Sequence, residues 1–64
     1  MLINVFGNWV NPNIIGRVYS LDKCYEFPNG ATGLMLQHAV YIFFEDKTVD
    51  EVAEEINKQL KERE

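Results

Sequence analysis

The stretch "AVYIFFEDKTVDEVAEEINKQL", Ala39 to Leu60, holds two structural regimes side by side. Its first part has no charged or strongly polar residue on either parity. Val40, Ile42 and Phe44 face one way, and Ala39, Tyr41 and Phe43 the other. Such a run predicts a strand buried on both faces. The second part changes period. Val49, Val52, Ala53, Ile56 and Leu60 recur at the spacing of an amphipathic helix. Thr48 followed three residues later by Glu51 fits a capping box. Asp50, Glu51, Glu54 and Glu55 crowd the N-terminal half, and Lys58, Lys61 and Arg63 the C-terminal end. Both placements complement the helix dipole. Residues 48–62 therefore read as one helix, and residues 1–44 as strands and turns.

Working back toward the N-terminus, "LMLQHAVYIFF" (residues 34–44) reads as one long strand. The turn "FPNG" (residues 27–30) reverses the chain between it and "KCYEF", with Pro28 and Gly30 placed as in a type I turn. Gly30-Ala31-Thr32-Gly33 lacks the lysine of a phosphate loop and reads as a hairpin end. "IIGRVYSL" (residues 14–21) is a strand with Ile15, Arg17, Tyr19 and Leu21 on one face and Ile14, Gly16, Val18 and Ser20 on the other. Gly16 marks a bulge or a close approach. "LINVF" is a first strand, Gly7-Asn8 a turn or bulge, and Trp9-Val10 a continuation of that strand up to Asn11-Pro12-Asn13. The expected fold class is α+β. A small antiparallel β-meander of three to four strands carries one C-terminal helix packed on one face, in a single domain over residues 1–64.

A chain of 64 residues buries only about 60% of its unfolded surface. Small scaffolds usually add disulfides, a metal or oligomerisation. Cys24 is the single cysteine and His38 the single histidine. An internal disulfide and a Cys/His zinc site are thus excluded. One helical stripe covers one sheet face, which leaves Tyr41, Phe43 and Leu21 on an apolar second face. The expectation is a homodimer or higher oligomer formed through that face or the sheet edge. The alternative is that the Trp9 segment folds over it.

The formal charge of −4 comes from residues 45–64. Arg17 and Lys23 balance Asp22 and Glu26 in the first 44. A basic footprint for duplex nucleic acid is absent. No run approaches the roughly 18 apolar residues of a membrane span. No leader with a basic region and cleavage site is visible, and with one cysteine the expected location is cytoplasmic.

His38 and Cys24 lack partners at motif spacing, and the acidic pairs read as a solvated face. The expectation is therefore no enzyme, no metal and no cofactor. Two readings stay open for "GNWVNPNIIGRV" (residues 7–18). In one, Trp9 stacks on a planar ligand, Asn11 and Asn13 offer amides, Arg17 offers a cationic fork and Tyr19 assists. In the other, Trp9 is a core aromatic and the asparagines are turn chemistry.

The order "MLINV", "NIIGRV", "VYIFF" and "VDEVAEEINKQL" resembles the FlbD family of short flagellar-operon proteins. That resemblance implies an accessory or structural subunit and carries over no site residues. It departs at "CYEFPNGATGLMLQH", where that family has a compact Asn-Gly hairpin and a further strand. In size and style the chain is also similar to small phage-encoded inhibitor and anti-defence proteins. Three functions follow as expectations. One is an oligomeric protein that binds and modulates a host protein through the helix face of Glu51, Glu54 and Glu55 or through the Trp9 segment. Another is an oligomeric sponge for a small nucleotide-like anion at protomer interfaces, using Trp9, Asn11, Asn13, Arg17 and Tyr19. The third is the accessory subunit.

Overall fold

The structure, a computed structural model, describes residues 1–62. Five antiparallel strands form two sheets, and one C-terminal helix packs against them. Strands β1 (Ile3–Val5) and β2 (Asn8–Val10) make a hairpin. Strands β3 (Ile15–Leu21), β4 (Ala31–Leu36) and β5 (Val40–Phe44) make a three-stranded meander in that order. Helix α1 spans Val49–Glu62. The α+β class and the meander with its C-terminal helix are as the sequence predicts. Arg63, expected beside Lys58 and Lys61, lies outside the described residues.

The N-terminal segment corrects one expectation. Trp9-Val10 does not continue the first strand but pairs back onto it, Ile3 opposite Val10 and Asn4 opposite Trp9. The turn sits one residue earlier than predicted, at Phe6-Gly7. Both have positive φ, 48° and 91°, as a two-residue hairpin turn of the right twist requires. Phe6 hides this signal, because a bulky residue rarely adopts that region. Asn4 supports the turn by accepting from the Gly7 amide at 2.8 Å.

The long strand expected over residues 34–44 is instead a hairpin. A 3-10 turn at Gln37–Ala39 separates β4 from β5, with His38 and Ala39 at φ 64° and 58°. Neither residue is among the usual turn formers, so no break is legible there. β4 also begins earlier, absorbing Ala31-Thr32-Gly33, which is not a hairpin end. "KCYEF" is loop, not strand. The predicted reversal at "FPNG" is present, with the Gly30 amide donating to the Phe27 carbonyl at 2.8 Å.

Pairing fixes the two faces of the meander. Val18–Leu34–Ile42 form one cross-strand row toward the helix. Arg17–Met35–Tyr41 and Tyr19–Gly33–Phe43 form rows on the other side. The register shifts between Ile15 and Arg17. This bulge at Gly16 carries Ile15 off the face of Arg17 and Tyr19 and onto the core, where it packs beside Val18. The predicted alternation fails at that one residue because a bulge adds one residue to one strand. The close approach is also real: a Cβ on Gly16 would stand 2.8 Å from Cε of Met35.

The core comprises Ile3, Val5, Val10, Leu34, Leu36, Phe44, Val52 and Ile56. Burying each such side chain contributes about 1.5–3 kcal/mol before entropy. The β1–β2 hairpin thus packs into the same core as the helix and does not fold over the far face of the meander. The helix start is held reciprocally. Thr48 Oγ1 accepts from the Glu51 amide at 3.1 Å, and Glu51 Oε1 accepts from the Thr48 amide at 3.0 Å. Buried Thr32 donates through Oγ1 to the Lys47 carbonyl at 2.6 Å, tying β4 to the connection between β5 and α1.

Candidate functional site

The face of the meander turned away from the core is built from alternate residues of three strands. β3 supplies Arg17, Tyr19 and Leu21, β4 supplies Gly33 and Met35, and β5 supplies Tyr41 and Phe43. Tyr41 and Phe43 are 46% and 43% exposed. β5 is therefore not buried on both faces. Phe44 is buried and Ile42 half-buried on the core side, while the opposite parity meets solvent. The cause is simple: among the described residues there is one α-helix, and it covers the other face.

The aromatics of this outer face are ordered among themselves. The rings of Tyr41 and Phe43 lie nearly parallel at 11°, with centroids 6.2 Å apart. Phe27 reaches in from the 22–30 loop and packs on Phe43 at 5.2 Å. The Arg17 guanidinium stands over the Tyr19 ring, 5.4 Å from its centroid. Such a cation adds about 0.5–1 kcal/mol at an exposed site. Tyr19 in turn lies across Gly33, where a Cβ would meet its hydroxyl at 2.7 Å and its Cε1 at 2.8 Å.

Two sets of residues that the sequence assigned to different sites therefore share one surface. Arg17 and Tyr19 came from the ligand reading, and Leu21, Tyr41 and Phe43 from the interface reading. The structure does not gather the rest of the ligand set with them. Trp9 is 61% exposed on β2, paired with Asn4 and alternating with buried Val10. It is not a core aromatic. The Asn11 side chain accepts from the Asn13 amide at 2.9 Å and caps the 3-10 turn Pro12–Ile14. That is the turn chemistry of the second reading. Met35 and Phe27 were missed. Met35 shares the odd parity of Tyr41 and Phe43 in the 34–44 run, so alternation alone carries that signal. Phe27 carries no sequence signal, because the fold of its loop brings it to Phe43.

The acidic helix face is also outward. Glu54 and Glu51 are exposed, and Glu55 is half-buried and accepts from Gln59 at 3.4 Å. Phe6 joins these three and Lys58 around a shallow cleft of about 260 Å³. Cys24 and His38 lie beyond opposite ends of β4, a strand length of about 20 Å apart. They cannot form a nucleophile–base pair at hydrogen-bond reach. Among the described residues no group of three His, Cys, Asp or Glu side chains could hold a metal ion, and no helix is long and apolar enough to cross a membrane.

No family model, curated protein or solved structure matches the chain. The functional reading rests on the geometry above.

Proposed function

We propose that this chain is a small non-enzymatic binding protein that works as a homo-oligomer and modulates a host protein. The observation that carries the reading is the outer sheet face, with Tyr19, Met35, Tyr41, Phe43 and Phe27 side by side and, among the described residues, no helix or further strand above them. An aromatic patch of this kind marks an association surface. A second copy covers it. The acidic face of Glu51, Glu54 and Glu55 then stays outward and is the surface offered to a basic region of the host protein.

The sheet face measures about 17 Å along the strands and 14 Å across them, from ordinary strand spacings. That is smaller than a standard interface. Self-association through this face alone is therefore weak and reversible. A narrower ligand reading is favoured by Arg17 and Tyr19, which put a guanidinium and a ring on the same face, where an anion held between protomers would meet them.

A native mass spectrum of the protein purified from cells tests the function. An oligomer without added mass supports the protein-binding reading. A stoichiometric adduct of nucleotide size replaces it with ligand sequestration. A monomer at high micromolar concentration overturns the oligomer.

A further inference from the structure

We infer that the second copy seats on the outer face with its strands antiparallel to the first, about a two-fold axis running across the strands at the Tyr19–Gly33–Phe43 row. The inference rests on the reading that this face self-associates, and it fixes how. Each strand then lies over its own copy, and Gly33 lies near Gly33 of the second protomer.

The charge distribution selects this arrangement. Arg17 stands at one end of the face, in the row with Met35 and Tyr41. The opposite end is acidic. Asp22 follows Leu21, Glu26 precedes Phe27, and Glu45 and Asp46 line a cleft of about 220 Å³ with Phe27 and Pro28. Lys23 is the one lysine of the 22–30 loop, and Lys47 is turned elsewhere, its Nζ 4.7 Å from the Phe6 ring centroid. Between the two ends the face carries no charge.

Asp22 lies just past the end of β3 at Leu21, five residues from Arg17 and about 17 Å away along the chain. This exceeds the Debye length of about 8 Å at physiological ionic strength. The two ends therefore do not neutralise each other within one copy. When the strands of the two copies stay aligned, two axes in the plane of the face bring them together. An axis along the strands stacks acidic end on acidic end, and like charges in juxtaposition are costly. An axis across the strands at the Tyr19 row places Arg17 of each copy over Leu21 of the other, next to its acidic end, twice per dimer. Sheets packed face to face accept such alignment with a modest rotation, near 30°.

Charge exchange tests this. Sedimentation equilibrium is run on the full chain with Arg17→Glu, with Asp22→Arg, and with both. Circular dichroism confirms that each variant folds. Each single reversal is expected to weaken dimerisation about tenfold, and the double variant to recover to within about threefold of the parent. High salt should shrink the single-variant losses. Losses without recovery in the double variant overturn the orientation. A Tyr41→Ser/Phe43→Ser control separates the two levels. If that variant still dimerises like the parent, the outer face is not the interface at all. If it becomes monomeric while the exchange fails, only the orientation is wrong.

Discussion

Tyr19 lies across Gly33 on the neighbouring strand, so closely that a methyl group on that glycine would overlap the ring. The contact makes Gly33 a packing residue of the outer face rather than a turn glycine. Gly33→Ala should lose about 1–3 kcal/mol from overpacking, lowering Tm by at least about 5 °C in a domain this small. In a Tyr19→Ala background the same change should cost nothing, since alanine suits a strand interior at least as well as glycine. Thermal melts of the four proteins check this. Equal losses in both backgrounds would contradict it.

The helix start gives a second prediction. Thr48 and Glu51 bond each other's amides, so Thr48→Ala should cost about 1 kcal/mol. Glu51→Ala should cost less, and the two together less than their sum, because each removes part of one reciprocal motif. Urea unfolding monitored by helical circular dichroism gives the three values. Strict additivity would argue against the reciprocal cap.

Thr32 separates stability from association. It is buried on the core face, with its hydroxyl on the Lys47 carbonyl at 2.6 Å. Thr32→Val keeps the shape and orphans that carbonyl, at a cost of about 1–3 kcal/mol. Dimerisation of the folded fraction should not change, because Thr32 points away from the outer face. A changed dimer constant would mean that the two faces are coupled.

Ala39 offers a stabilising change. It holds φ 58° in the turn between β4 and β5, a region that costs a side-chain-bearing residue about 1–2 kcal/mol. Ala39→Gly removes that cost and gives back about 0.4–1 kcal/mol through the unfolded chain. The expected net is a Tm rise of a few degrees, read by calorimetry. A fall would show that the Ala39 methyl group makes a contact worth more than the strain.

How much of this was legible in the sequence depended on whether local chemistry agreed with the fold. The helix was fully announced, because its stripe, capping pair and charge order all pointed one way. The parity of β5 was also readable, and with it the apolar second face at Tyr41 and Phe43. The breaks were not. Phe6, His38 and Ala39 adopt left-handed backbone that their residue types do not advertise, so the first hairpin reads as a continuing strand and the second as one long strand. Gly16 advertised its bulge, but a sequence cannot say which neighbour changes face. The ligand set of Trp9, Asn11, Asn13, Arg17 and Tyr19 followed chain proximity. The fold instead sorts these residues by sheet, and only Arg17 and Tyr19 meet.

The central claim is that the outer face of Tyr19, Met35, Tyr41 and Phe43 is a self-association surface. Sedimentation velocity over a concentration series, from low to several hundred micromolar, tests it most directly. The wild type should move reversibly from the 7.5 kDa monomer toward twice that mass, and Tyr41→Ser/Phe43→Ser should stay monomeric throughout. A wild type that remains at 7.5 kDa at the highest concentration, or a variant that assembles as the wild type does, would contradict the account.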